Sequence, residues 1–295
     1  MSEKQVELVS VCMVTYKHEA DIREAIEGVL SQKTDFKVSL LVGDDCSPDN
    51  TYKIVKDIII NHPNGHWITY IKREKNIGMM PNFIDLLKRC KGKYIALCDG
   101  DDFWTDPLKL HKQVNFLDKN KKNIFIGHSC HGLTKSNKIV PVRVFTTDHK
   151  ITPYKVFLSN QVNTSTFLFR NHIVNYEELI NFNSGDLPLL TMLAFKGDLY
   201  VFSDAMSIYR MNGKGADSSL RMDIKYSNYL KNRKLLLKHF QWSNISLLKV
   251  MCYSLLRATI YAYTIFNNNS PARTQLKLFI MILRHLFTHK RFSGE

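Results

Sequence analysis

The order of apolar segments over the first hundred residues limits this chain more than any other feature. Residues 8–15 are a nearly continuous apolar run, the pattern of a strand covered on both faces. Ile22, Ala25, Ile26, Val29 and Leu30 then recur at helical spacing. Residues 38–43 read as a second strand. Ser47, Pro48 and Asp49 make a turn and cap into a helix carrying Ile54, Val55, Ile58 and Ile59. Residues 66–71 are a third strand, Phe83, Ile84, Leu86 and Leu87 mark a third helix, and a fourth strand ends at Asp99. This alternation predicts a mostly parallel sheet with helices on both faces.

Sheets of that kind bind ligands beyond the carboxyl ends of their strands. Polar residues collect there: TYKHE after the first strand, GDDCSPDN after the second, DGDD after the fourth. One shared site at the sheet edge is therefore expected. In the last cluster Asp99, Asp101 and Asp102 crowd three carboxylates together. Two carboxylates about 4 Å apart repel by roughly 4 kcal/mol at an effective dielectric near 20. A divalent cation would relieve that repulsion and also neutralise a diphosphate. Hard oxygen ligands suit Mg²⁺ or Mn²⁺, which bind through one or two carboxylates plus substrate phosphates. A solvated acidic turn capping the next helix is the alternative. The cluster GDDCSPDNT can offer a carboxylate to a base N–H or a ribose hydroxyl, or serve only as turn and cap.

Other templates fail. The chain has no GxGxxG fingerprint, no GxxxxGK[ST] phosphate loop, no HExxH around His18–Glu19 and no GxSxG elbow. HSCH, 128–131, lies in a strand-like run whose alternate side chains face opposite ways, which disfavours a zinc site.

Asp106–Pro107 is expected to open a helix. Residues 124–130, 138–144 and 165–170 read as strands, 187–196 as a helix, and 200–211 as one or two short strands. Everything from about residue 220 reads helical. The net charge of +14 is concentrated in that tail, where 13 Lys and Arg face only Asp223 and Glu295. Such a tail could meet nucleic acid or an anionic membrane. Lys249, Arg257, Lys277 and Arg284 interrupt its apolar stretches, short of the ~18 uncharged residues of a spanning helix. Basic amphipathic helices on a membrane surface, or helices packed on the main domain, both fit. Six scattered cysteines without a CxxC pair read as reduced thiols of a cytosolic protein, and no secretory signal is evident.

Taken in order, VSVCMVTYKHE, LLVGDDCSPDNT, KNIGMMPN and YIALCDGDDFW resemble the nucleotide-binding half of family 2 glycosyltransferases with the GT-A fold. SGDLPLLTMLAFKG and SIYRMNGKG resemble the acceptor-side segments of the same family. The resemblance covers about residues 8–215. It implies an α/β, GT-A type nucleotide-binding fold with a mostly parallel central sheet, followed by a helical C-terminal region. The implied domains are a glycosyltransferase domain at 1–218, with a nucleotide-sugar half at 1–105 and an acceptor half at 106–218, and a basic helical region at 219–295.

By the same resemblance Thr15, Tyr16, Glu19 and Gly100 line the nucleotide pocket and Asp45 contacts the base. Asp99 meets the ribose or metal, Asp101 is the principal metal ligand, and Asp102 stands beside it. Asp186 falls where the family has its catalytic base, although an aspartate before Leu187–Pro188 is equally well placed to cap a helix. Asp198 and Asp204 read as turn residues. Two positions depart from the family pattern: Cys46, where glycine is common, and Asn212, where many relatives have histidine.

The implied reaction is inverting transfer from a nucleotide-diphosphate sugar, with UDP-sugars commonest, to a hydroxyl of a glycan or lipid-linked acceptor. The expected location is cytoplasmic and peripheral on the inner face of the plasma membrane, with the tail on anionic lipid and no nucleic acid partner. A metal-dependent nucleotidyltransferase and a non-enzymatic basic binder are the alternatives.

Overall fold

The computed structural model describes residues 7–158, 162–211 and 221–239. The first half runs β1 (Glu7–Thr15), α1 (Ile22–Leu30), β2 (Lys37–Asp44), α2 (Thr51–Asn61), β3 (Ile68–Lys72), α3 (Met79–Arg89) and β4 (Tyr94–Leu97). It continues with β5 (Phe103–Trp104), α4 (Lys109–Lys119), β6 (Asn123–Thr134), β7 (Ile139–Arg143), β8 (His149–Ile151) and α5 (Pro153–Leu158). β9 (Leu168–Arg170), α6 (Asp186–Ala194), β10 (Asp198–Met211) and α7 (Met222–His239) follow.

Among the described residues all ten strands form one sheet, with the main order β3-β2-β1-β4-β9-β6-β10-β5. β3, β2, β1 and β4 are mutually parallel, as the alternation predicts. β9 runs antiparallel between β4 and β6 and joins the two halves of the chain into the same sheet.

The period-2 geometry of β1 explains its unbroken apolar run. Val9, Val11 and Met13 pack with Ile22, Ile26 and Val29 of α1 on one face, whereas Cys12 packs with Leu86 and Leu87 of α3 on the other. Each such side chain contributes roughly 2 kcal/mol on leaving water. Both faces of the sheet are thus covered by helices.

Three expectations need correction. α4 begins at Lys109, because the Leu108 N–H donates to Asp106 Oδ1 (2.8 Å) and closes a tight turn around Pro107 first. Residues 200–211 belong to a single strand of 14 residues, whose register against β6 slips between Phe202 and Ala205 and again before Ser207. Only Leu168–Arg170 of the run 165–170 is strand, since Thr164–Thr166 is one 3₁₀ turn. No helix among the described residues is long and apolar enough to cross a membrane. Asn212 and the basic segment from residue 240 onward lie outside the described residues.

Candidate active site

The carboxyl ends of β2, β1 and β4 lie side by side, with Thr15 in register with Asp44 and Cys12 with Leu97. Backbone bonds carry the order past the strand ends: Asp45 N–H donates to Thr15 O (3.0 Å) and Gly100 N–H to Val14 O (2.9 Å). The chain then turns back on itself, with Asp102 N–H donating to Asp99 O (3.1 Å). Three polar clusters scattered over ninety residues therefore become one edge.

Gly100 makes the closest approach within it. A Cβ there would lie 2.8 Å from Thr15 Oγ1 and 2.9 Å from His18 Nδ1, so any side chain would push the acidic turn away from β1. Thr15 Oγ1 and His18 Nδ1 are in hydrogen-bond contact at 3.2 Å, and His18 Nε2 reaches to 3.9 Å from Asp101 Oδ2. His18 was not among the expected site residues. The sequence places His18 in the TYKHE cluster at this edge without giving it a role, and the approach of β4 to β1 sets it beside Asp101.

The carboxylates of the turn occupy different surroundings. Asp101 keeps 15% of its side chain exposed. Burial pushes the Asp99 carboxyl up to about 8, with the charges of Asp101 and then Asp186 adding to the shift. Asp186 lies over eighty residues along the chain, yet its charge acts on the same group. It is the first residue of α6, and the cap position is taken by Gly185, so Asp186 is not itself the cap. Asp102 is the least exposed acid of the turn. Its Oδ1 accepts the Arg210 N–H (3.0 Å), which ties the turn to β10. Burial holds Asp102 well above the usual carboxylate range, with Asp101 and Asp99 next in effect.

The remaining expected residues hold the rim. Tyr16 is exposed, with Lys17 Nζ 5.0 Å from its ring centre. Glu19 Oε2 accepts from the Asn50 backbone (2.8 Å) and side chain (3.0 Å), lashing the loop after β1 to the start of α2. Asp45 is buried, and its two oxygens accept the N–H groups of Ile77 (2.7 Å) and Gly78 (2.9 Å). It thus fixes the loop that leads into α3. Its neighbour Asp44 accepts from Ser47 N–H (2.8 Å) and from the Tyr70 hydroxyl. Cys46, at φ 64°, takes up the left-handed conformation that glycine favours. Asp204 and Asp198 are engaged elsewhere, with Lys112 (2.9 Å) and Lys150 (2.6 Å).

The sequence profile of Glycosyl transferase family 2 matches residues 10–178, which include Thr15, Asp45 and Asp99–Asp102 but not Asp186. The chain belongs to glycosyltransferase family 2. It is 30% identical over 239 residues to an uncharacterized protein of Mycobacterium tuberculosis, an alignment covering 77% of this chain and 63% of that protein. The chain thus spans less than two thirds of the length of its mycobacterial relatives. Over 137 residues, 46% of this chain and 51% of the relative, it is 31% identical to the Escherichia coli UDP-Glc:alpha-D-GlcNAc-diphosphoundecaprenol beta-1,3-glucosyltransferase WfaP.

Among solved structures, Staphylococcus aureus TarS 1–349 in complex with UDP-GlcNAc superposes with a TM-score of 0.70 at 20% identity, covering 93% of this chain and 81% of TarS. The mannosyltransferase PcManGT of Pyrobaculum calidifontis, in complex with GDP-Man and Mn²⁺, superposes at 0.58 and 16% identity over 95% of this chain and 81% of that one. These neighbours show the GT-A fold expected from the sequence.

A divalent cation suits the residues present. Asp99 and Asp101 repel each other at one strand end, and a cation between or beside them would offset that repulsion. Among the described residues no three His, Cys, Asp or Glu side chains are already gathered to hold a metal ion.

Proposed function

We propose that this glycosyltransferase moves a sugar, with inversion, from a nucleotide-diphosphate donor to an acceptor hydroxyl, with Asp186 as general base. The observation that supports this reading is the acidic turn Asp99–Asp102, which backbone bonds hold beside the ends of β1 and β2, and the charge of Asp186 adds to the upward shift of the Asp99 carboxyl. In the reaction the acceptor oxygen bonds to the anomeric carbon as the bond from that carbon to the diphosphate oxygen breaks. The hydroxyl proton passes to Asp186, and nucleoside diphosphate departs. General-base assistance of this kind contributes typically ~10²–10⁴-fold.

Asp101 and Asp99 would hold Mg²⁺ or Mn²⁺, which supplies charge stabilisation for the departing diphosphate. Thr15, Tyr16, His18 and Gly100 line the nucleotide side. Asp45 acts one step back, by fixing the 77–78 backbone against which the base would rest. Asp102 anchors the turn to β10 and does so as part of the same acidic edge. We assign residues 1–218 to the transferase domain and 219–295 to a basic region that meets an anionic membrane at the cytoplasmic face. Support comes from the charge excess of that region and from the glucosyltransferase relative, whose name specifies UDP-Glc and a diphosphoundecaprenol-linked sugar.

The test is a panel of UDP- and GDP-linked hexoses incubated with Mn²⁺ or Mg²⁺. Release of nucleoside diphosphate from one donor supports the reading, and the anomeric configuration of the product decides inversion. Pyrophosphate release from a nucleoside triphosphate and a sugar phosphate, with no donor cleaved, would mean a nucleotidyltransferase instead.

A further inference from the structure

The turn that delivers Asp186 is held by α7. α7 enters the core through Leu236, fully buried with Leu189 and Leu190 of α6. From that seat it presents three polar side chains to residues 183 and 184. Asn183 N–H donates to Asn232 Oδ1 (2.9 Å), and Asn232 Nδ2 donates to Ser184 Oγ (3.0 Å). Asn183 Nδ2 donates to Asn228 Oδ1 (2.5 Å), while Asn183 Oδ1 accepts from Lys231 Nζ (3.0 Å). Asn183 therefore has its backbone amide and both ends of its side chain taken by one helix.

The other side of the turn is closed by packing. A Cβ on Gly185 would lie 2.5 Å from Phe83 Cε1, so the backbone lies directly on the α3 ring. One residue further on is Asp186. Asn232 is only 4% exposed, and an amide buried there with both ends bonded fixes the backbone opposite it in two directions.

We propose that Asn232, assisted by Asn228 and Lys231, is a positioning residue that sets where the Asp186 carboxylate stands. The proposal rests on Asp186 being the base. A base must lie within hydrogen-bond reach of the proton it takes, and a displacement of about 1 Å can cost ~10²-fold in rate. The clamp acts on kcat through Asp186 and leaves the nucleotide side alone, since Thr15, His18 and Asp101 belong to other elements.

The experiment is a double-mutant cycle on nucleoside diphosphate release, using whichever UDP- or GDP-linked hexose the chain hydrolyses fastest. Asn232→Ala is expected to lower kcat ~10-fold or more with KM within about twofold. In an Asp186→Asn background the same change should have no further effect, because the group it positions is gone. An equal loss in both backgrounds would make Asn232 a structural residue and overturn the proposal, as would a parental kcat in the single variant. Asn232→Asp keeps the acceptor for Asn183 N–H and should recover part of the rate. If Asn232→Ala does not fold, Asn232→Asp and Asn228→Ala carry the same cycle with the same two outcomes. Parental hydrolysis by Asp186→Asn alone would instead sink the base assignment, whatever Asn232 does.

Discussion

His18 Nε2 stands 3.9 Å from Asp101 Oδ2, although the two residues leave different strands. The contact exists because Gly100 lets the β4 turn close over Thr15. It puts an imidazole beside the carboxylate proposed to hold the metal ion. His18→Ala is expected to weaken UDP or GDP binding roughly tenfold, the loss of one hydrogen bond to a charged group. Titration calorimetry checks this, with the melting temperature as control. Unchanged affinity would remove His18 from the site.

Asp101→Asn removes a hard ligand without changing shape. In the parent, affinity for the donor or for nucleoside diphosphate should rise on adding Mn²⁺ and fall with chelator. In the variant both additions should leave affinity unchanged, because the remaining carboxylate alone binds the ion weakly. Metal-independent binding in the parent would dismiss the metal assignment.

Asp99 gives the site a pH signature that can be read without substrate. Its folded-state pKa, about 8, lies above the unfolded carboxylate value, so the folded chain holds an extra proton between about 4 and 8. That contribution to stability is complete below pH 4 and lost as pH rises toward 8. Metal-free protein should therefore melt at falling temperature from pH 5 to pH 8, and Asp99→Asn should flatten the slope. Mn²⁺ should restore part of the loss at pH 8. A parallel slope in Asp99→Asn would mean that other groups govern it.

What could be read from the residues, and what could not, follows the range of the interactions involved. β1 and β4 announce themselves because both faces of each are covered, so the apolar run is local and unbroken. The Asp99–Asp102 cluster is legible for a similar reason, since its repulsion is evident within four residues. β5 and β8 are two and three residues long and exist only because β10 offers them an edge. β10 itself reads as broken because Ser203 and Asp204 interrupt it where its register slips. The clamp on Asp186 joins Asn183 to a partner 49 residues away and has no local pattern at all.

Lys109 offers a second titration, opposite in sign. It is fully buried, with its Nζ 3.9 Å from the Trp104 ring centre and donating to Gln113 Oε1 (2.8 Å). Burial pulls its pKa down to about 7. Between about 7 and the ordinary lysine value near 10.4 the unfolded chain holds the extra proton, so this contribution to stability rises with pH. Lys109→Met keeps the stem against Trp104 and removes the titration. The difference in unfolding free energy between parent and variant should therefore shift in the parent's favour from pH 7 to 9, by about 1.4 kcal/mol per unit at most. Denaturant melts at several pH values check this, and a constant difference would show that Lys109 is protonated when buried.

The basic region gives a test that uses sequence alone. Each Lys or Arg near an anionic surface contributes about 1 kcal/mol, and this attraction is screened by salt. The full chain is expected to co-sediment with vesicles containing phosphatidylglycerol at low salt. Reversing the charges of Arg284, Lys290 and Arg291 together should weaken that binding at least tenfold. Equal sedimentation of the variant would place the contact elsewhere on the protein.

Asp186 bears the most weight in the proposed mechanism, and one substitution separates its two roles. An aspartate at the start of a helix can stabilise it by its charge near the N-terminus, worth about 0.3–1 kcal/mol. Asp186→Asn retains the shape and gives up only the charge and the ability to take a proton. As a helix-start residue it would melt a few degrees lower and transfer sugar at the parent rate. As the base it should bind metal and donor as the parent does, and transfer should fall by ~10²-fold or more. Removing the charge should also let the Asp99 pKa drop, because Asp186 is one of the charges that raise it. The metal-free decline in melting temperature from pH 5 to 8 should therefore be shallower in Asp186→Asn. A variant with full activity and an unchanged pH slope would put the Asp186 carboxylate outside the site.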